Sequence, residues 1–180
     1  MAGVATQLKE VCSPYFKEYS NQVCKNAAAL ADELKTKYGY KLATGGTENH
    51  LVLWDLKPQG ITGSKMQAMC DAVSITLNKN SVLGDKSALT PGGVRIGSPA
   101  LTTRGFNEEH FRKVAEFLHR AVTISSEIQK EHKLLKAFTA ALPTHPDVLA
   151  LKKDCQDFVT QFPMPGVGFA DGEMKYKSIS

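Results

Sequence analysis

The stretch SALTPGGVRIGSPALTTRG (residues 87–105) contains a short apolar run that glycines bracket on both sides. Its centre, VRI, predicts a short strand that enters or leaves a core, yet it carries Arg95. Burying a guanidinium without a partner is costly. Arg95 therefore needs either a carboxylate of this chain, such as Asp85 or Asp55, or the carboxylate of a ligand that it would bind in a bidentate way. Residue patterns alone leave both alternatives open.

Further strand-like runs lie upstream of this stretch. YKLATGG (40–46) and HLVLWDL (50–56) are separated by turn residues, and SITLN (74–78) is a third run. The second run is apolar on both alternating faces, which predicts a strand covered on both sides. The polar connection from Asn78 to Pro91 is long for a compact domain, so it is typical of a mobile or functional loop. Glycines 92, 93 and 97 either allow close backbone approach or form a turn.

Helical periodicity surrounds these strands. Ser13-Pro14 is a good N-cap followed by a first-turn proline. The spacing of apolar residues predicts helices over residues 4–12, 14 to about 38, about 63–73, about 107–130, near 133–142 and near 147–161. This order predicts an α+β fold with a small, mostly antiparallel sheet covered by helices. We expect leading helices over 1–38 and a C-terminal domain over 39–180.

Composition excludes several functional classes. The net charge is only +4, and basic residues do not interleave with aromatic residues, so a nucleic-acid partner is not expected. No apolar run is long enough to cross a bilayer, so a membrane protein is not expected. Four widely spaced cysteines favour reduced thiols in the cytoplasm, although a mitochondrion or plastid stays open. Clustered metal ligands are absent from the sequence, so no metal is expected.

Familiar catalytic motifs are missing from the sequence. It contains no GxSxG, HExxH, P-loop or dinucleotide-binding glycine motif. His110, His119 and His132 fall on or near helices, where solvent-facing or core-edge roles are favoured over ligation. His50 begins a strand, which favours a hydrogen-bonded core residue over a catalytic one.

Four longer motifs resemble one family. GGTENHLVLWDL (45–56), SITLNKN (74–80), GDKSALTPGGVRIGSPALTTRG (84–105) and FPMPG (162–166) are similar to the C-terminal part of serine hydroxymethyltransferases. These fold-type I enzymes depend on pyridoxal phosphate and exchange a one-carbon unit between serine and glycine, with tetrahydrofolate as carrier. LVLWDL and the terminal EMKYK (173–177) resemble plant-like, eukaryotic members.

The resemblance assigns roles residue by residue. It implies that Arg95 binds the carboxylate of the amino-acid substrate and that Asn80 contacts the pterin ring of the folate. Ser87 is expected to line the same folate pocket. These residues bind ligands, so the resemblance gives this chain no catalytic residue.

The resemblance also implies what the chain lacks. The family's cofactor lysine ends a threonine-rich stretch far upstream, and no such stretch occurs here; the only His-Lys pair is His132-Lys133. We therefore expect an inactive chain with no tightly bound pyridoxal phosphate or tetrahydrofolate, taken from a dimeric or tetrameric enzyme. The first helix has no cap, which favours a longer natural chain.

Three hypotheses follow for the chain as it stands. It is an excised C-terminal domain of a serine hydroxymethyltransferase, a naturally short paralogue that acts as a regulatory or binding subunit, or an independent carboxylate binder that uses Arg95. The uncapped first helix favours the first hypothesis.

Overall fold

The structure, a computed structural model, describes residues 1–87 and 89–165. Within them, four short strands form one sheet in the order β1-β2-β4-β3, and every pairing is antiparallel. The strands are β1 (Lys41–Leu42), β2 (Leu51–Asp55), β3 (Asn78–Asn80) and β4 (Gly93–Gly97). The α+β class with a small antiparallel sheet is confirmed.

Seven α-helices accompany this sheet in the described part of the chain. Along the sequence, two precede β1, one lies between β2 and β3, and four follow β4. They are α1 (Ala2–Val11), α2 (Pro14–Asp32), α3 (Gly63–Ala72), α4 (Pro99–Thr103), α5 (Glu108–Glu131), α6 (Leu135–Ala141) and α7 (Pro146–Val159). A π-helical turn, Glu33–Lys37, extends α2 until Gly39 takes up a left-handed φ of 67°. The predicted helices are confirmed, whereas the short α4 was not predicted.

Capping side chains fix the starts of the long helices. The Ser13 side chain accepts a hydrogen bond from the Phe16 N–H at the start of α2, as the sequence predicts. The side chain of Asn107 accepts from the His110 N–H, and His110 Nδ1 accepts from the Asn107 N–H. This reciprocal pair satisfies two backbone donors at the start of α5.

The core lies on one face of the sheet. Alternation along β2 and β4 places Val52, Trp54, Val94 and Ile96 on that face, where all four are buried. The predicted apolar stripe of α5 packs into the same core through Phe111, Phe117, Leu118, Ala121, Val122, Ser125 and Ile128. The burial of these side chains supplies the main stabilisation of the fold.

The opposite face of the sheet is open among the described residues. Leu51 and Leu53 lie on it and are only half-buried, and Arg95 on the same face is exposed. The prediction that β2 is covered on both sides is therefore not met within the described part of the chain.

The prediction of a strand over SITLN (74–78) was wrong in position, because β3 spans Asn78–Asn80. Ser74 has a left-handed φ of 65°, and the Ile75 N–H donates to the Cys70 carbonyl at 2.8 Å. These residues still terminate α3, so the backbone becomes extended and pairs with β4 only from Asn78. Leu77 is apolar because it is buried in the core, not because it belongs to a strand.

The leading helices differ in their packing. No residue of α1 is buried, whereas Ala27, Leu30 and Ala31 of α2 are buried in the same core as the sheet. Buried Asn26 links α2 to α4 and to the segment that follows it, since its Nδ2 donates to Thr102 Oγ1 and to the Phe106 carbonyl, each at 2.8 Å. The division of the chain after residue 38 stays a prediction.

Candidate functional site

Arg95 is the central residue of β4 and lies on the open face. Its cross-strand neighbours are Leu53 of β2 and Asn78 of β3. Asn80 pairs with Gly93, so Asn80 and Arg95 are diagonal neighbours on one face, with Cα atoms about 7–8 Å apart. The sheet register therefore brings together two of the three residues predicted to bind ligands.

Neither of the two carboxylates considered for Arg95 pairs with it. Asp55 Oδ2 lies 3.0 Å from Lys41 Nζ, and Asp85 Oδ1 lies 3.8 Å from Lys57 Nζ. Within residues 1–87 and 89–165, Arg95 forms no hydrogen bond or ion pair and is exposed. Within the described ranges, the structural ion pair that was one alternative for Arg95 is therefore not formed, and no described residue occupies its donors.

Asn80 and Ser87 differ in their surroundings. Asn80 is half-buried, and its Nδ2 donates to the Ser81 carbonyl at 2.8 Å, which leaves Oδ1 as an open acceptor among the described residues. Ser87 is exposed in the loop between β3 and β4, and its Oγ accepts from the Leu89 N–H at 3.2 Å. No hydrogen bond in the described part of the chain links Ser87 to Asn80 or Arg95.

Gly92 and Gly93, where β4 begins, allow close backbone approach. A Cβ atom on Gly93 would lie 2.5 Å from both the Trp54 carbonyl oxygen and Val82 Cγ1, and one on Gly92 would lie 2.6 Å from Asp85 Oδ1. Neither glycine has a left-handed φ. Of the two reasons that the sequence left open for this pair, close approach is the one the structure supports.

Asp85 closes the loop between β3 and β4. Its Oδ2 accepts hydrogen bonds from the Gly92 N–H at 2.8 Å and from the Val82 N–H at 2.9 Å. These two donors, together with the ammonium of Lys57, hold the pKa of Asp85 below its ordinary value. Sequence patterns indicated Asp85 only as a partner for Arg95 and gave no sign of its role in this loop.

The histidines do not form a catalytic group. His50 was expected in the core, but its side chain is exposed; its carbonyl accepts a hydrogen bond from the Ser98 N–H at 3.0 Å. The residue precedes β2 rather than lying within it, so strand alternation does not direct it inward. His119 has a core-edge position, since its Nδ1 lies 2.8 Å from the Tyr40 hydroxyl and its ring stacks on Tyr38 at 4.2 Å.

The described ranges contain neither a metal cluster nor a membrane-spanning helix. No group of three or more His, Cys, Asp or Glu side chains there could hold a metal ion. No helix among the described residues is long and apolar enough to span a membrane. All four cysteines are free thiols, with Cys12 and Cys24 exposed and Cys70 and Cys155 buried.

Comparison with known proteins identifies the family. The family model described as serine hydroxymethyltransferase matches residues 1–118. The chain belongs to the serine hydroxymethyltransferase family. Of the motifs that carried the resemblance, EMKYK and Gly166 of FPMPG lie outside the described residues.

Individual relatives match the chain over almost its whole length. Serine hydroxymethyltransferase 4 of Arabidopsis thaliana is 52% identical over 178 residues, which are 98% of this chain and 37% of that relative. The cytosolic serine hydroxymethyltransferase of Saccharomyces cerevisiae is 44% identical over 169 residues, 91% of this chain and 36% of the relative. The serine hydroxymethyltransferase of Caenorhabditis elegans is 46% identical over 171 residues, which are 92% of this chain and 34% of that relative. The chain thus spans about a third of these relatives and matches their C-terminal part.

Proposed function

We propose that this chain is the C-terminal part of a serine hydroxymethyltransferase, the enzyme that interconverts serine and glycine with tetrahydrofolate as one-carbon carrier. Family membership and the partial coverage of its relatives support this proposal. The observation that carries it is Arg95, a guanidinium with no partner among the described residues, at the centre of an open sheet face. The chain would form one wall of an active site whose other wall belongs to the N-terminal two-thirds of the enzyme.

Arg95 would hold the carboxylate of serine or glycine. Its planar fork matches a carboxylate in a bidentate way, and its position within β4 limits backbone motion. Two parallel hydrogen bonds fix the orientation of the substrate as well as its location. Arg95 would therefore position the substrate, because a fixed carboxylate sets the orientation of the Cα–Cβ bond of serine relative to the cofactor.

Pyridoxal phosphate would supply the electron sink for this chemistry. The residues of this chain do not fit an anchoring site for it. Among the described strand residues, the cations on the open face are Arg95 and Lys41, and Lys41 Nζ is already paired with Asp55 Oδ2 at 3.0 Å. Lys65, whose pKa burial lowers, lies among the helices instead, with Nζ 3.3 Å from Gln129 Oε1 and 5.3 Å from the Phe138 ring centroid. The chain alone is therefore proposed to be inactive.

Asn80 and Ser87 would contribute to the folate site. The amide of Asn80 offers the acceptor and donor groups that a pterin ring requires, and the residue is a diagonal neighbour of Arg95. Ser87 lies in the loop that follows Asn80 and would line the same pocket. In the complete enzyme, serine or glycine and tetrahydrofolate would thus bind side by side, in a dimer or tetramer; the cytoplasm stays the predicted compartment.

Complementation of a glycine-requiring strain that lacks serine hydroxymethyltransferase tests the proposal. The strain would receive this chain alone, or this chain joined to the N-terminal part of the Arabidopsis relative, which is 52% identical to it. We expect growth without glycine only from the joined protein, and no growth when the joined protein carries Arg95→Ala. A soluble joined protein that fails to support growth would contradict the proposal.

The same experiment separates the other hypotheses. Growth supported by the chain alone would contradict its proposed inactivity. If the chain co-purified with an intact serine hydroxymethyltransferase and changed its activity, a regulatory subunit would be favoured. Saturable glycine binding by the chain, with no activity in the joined protein, would favour an independent carboxylate binder.

A further inference from the structure

We propose that Asp85 is a positioning residue that sets the folate-binding loop relative to the arginine that binds the substrate carboxylate. This inference rests on the proposed function. It concerns the Asp85 clamp, defined here as Asp85 with its three partners Val82, Gly92 and Lys57.

The clamp joins the two ends of one loop. Val82 is two residues beyond Asn80, and Gly92 is three residues before Arg95. A single oxygen, Asp85 Oδ2, accepts from the backbone N–H of both Val82 and Gly92, at 2.9 and 2.8 Å. Any movement of the segment that leaves Asn80 is therefore tied to the segment that enters β4.

Lys57 fixes the clamp to the rest of the fold. Its Nζ donates to the Leu83 carbonyl and lies 3.8 Å from Asp85 Oδ1. Lys57 follows β2, and the neighbouring Leu56 N–H donates to the Gly92 carbonyl at 2.9 Å. The base of the loop that carries Ser87 is thus held by an ion pair and by backbone hydrogen bonds from residues that flank β2, β3 and β4.

The packing leaves little freedom for this arrangement. The Asp85 side chain is only 8% exposed, and a Cβ atom on Gly92 would approach its Oδ1 to 2.6 Å. In contrast, Leu83 and Leu89 in the same loop are 96% and 85% exposed. Because these two apolar side chains are not packed against the fold, the position of the loop depends on its base. Loss of the clamp is therefore expected to affect the folate side of the site more than the core.

Steady-state kinetics of the joined protein test this division. We expect Asp85→Ala to raise the KM for tetrahydrofolate several-fold and to leave the KM for serine unchanged. Asp85→Asn keeps an acceptor oxygen and should cause a smaller rise. Glu127→Gln, which removes a carboxylate of an exposed α5 ion pair, is the control and should change neither constant. Equal changes in both KM values, or no change in either, would overturn the proposal.

A double-mutant cycle adds a readout that general destabilisation would not produce. Gly92→Ala places a methyl group against Asp85, so its effect on the folate KM should be smaller in an Asp85→Ala background. Additive effects of the two substitutions would contradict the coupling.

Hydrogen exchange in the 180-residue chain separates failure of the clamp from failure of the proposed function. Asp85→Ala should increase exchange at the Val82 and Gly92 amides while the β2–β4 amides keep their protection. Unchanged exchange at both amides would reject the clamp even if the joined protein were active. Increased exchange with an inactive wild-type joined protein would instead reject the proposed function, and with it the role of Asp85 in folate binding.

Discussion

Asp55 and Lys41 form an ion pair, with 3.0 Å between Oδ2 and Nζ, on the same sheet face as Arg95. Asp55 Oδ1 also accepts from the Lys57 N–H at 3.1 Å. Lys41 thus pairs with the carboxylate nearest to Arg95 in the sheet register, and no carboxylate in the described part of the chain pairs with the guanidinium. This arrangement supports the proposal that Arg95 binds the carboxylate of a ligand.

Removing Lys41 should weaken the binding of serine. In Lys41→Met, Asp55 loses its ion-pair partner and lies diagonal to Arg95, close enough to compete with the substrate carboxylate. We expect a several-fold higher KM for serine in the joined protein, and recovery in Lys41→Arg, which keeps the positive charge. An unchanged KM in Lys41→Met would show that Asp55 does not reach Arg95.

Core and leading helices should respond differently to truncation. Leu118 is fully buried, so Leu118→Ala is expected to lower the free energy of unfolding by about 2–5 kcal/mol. Leu8 in α1 is 62% exposed, and Leu8→Ala should cost less than about 0.5 kcal/mol. Urea denaturation of the 180-residue chain measures both values. A large loss for Leu8→Ala would contradict the loose packing of α1.

Thiol reactivity should divide the four cysteines into two pairs. Burial raises the pKa of Cys155 to about 11 and that of Cys70 still further, so neither forms much reactive thiolate near neutral pH. Cys12 and Cys24 are exposed. We expect two thiols to react quickly with a disulfide reagent in the native chain and the other two only on unfolding. Fast reaction of all four thiols in the native chain would contradict the burial of Cys70 and Cys155.

Stability should fall in mild acid because of His119. Burial, with a contribution from Lys37, lowers the pKa of its imidazole, so the unfolded chain binds more protons than the folded chain. This contribution to the free energy of unfolding is complete above about pH 6.5, the ordinary histidine pKa, and decreases as the pH falls towards the folded pKa. The variant His119→Asn keeps an acceptor for the Tyr40 hydroxyl but cannot titrate.

The measurement is the difference in unfolding free energy between wild type and His119→Asn across this pH range. We expect the wild type to lose more stability than the variant on acidification. Identical pH profiles would contradict the depressed pKa.

Local patterns were sufficient for much of the fold. Apolar periodicity and capping residues located α2, α3 and α5, because each signal lies within a few residues along the chain. The strand prediction for SITLN was wrong because Ile75 lies at the end of α3 and Leu77 packs into the core. Alternation of apolar residues alone cannot distinguish these positions from a strand. The prediction for His50 was wrong for a similar reason. His50 lies one residue before β2, where the alternation of the strand no longer determines whether a side chain is buried.

The site was less accessible to pattern reading. The proximity of Asn80 and Arg95 depends on the β3–β4 register, and the partner of each carboxylate depends on lysines distant in sequence. The spacing of residues along the sequence shows neither the strand register nor the ion-pair partners. Family motifs suggested which residues bind ligands, whereas the Asp85 clamp became visible only from side-chain contacts.

Calorimetric titration of serine into the joined protein tests most directly whether Arg95 binds the substrate carboxylate. Arg95→Ala should weaken binding by about 2–4 kcal/mol, the expected cost of losing a charge-assisted bidentate contact. Arg95→Lys should also weaken it sharply, because an ammonium cannot form the planar fork. Arg112→Ala, at an exposed position of α5, is the matched control and should bind serine like the wild type. Serine affinity that is unchanged in Arg95→Ala would contradict the assignment.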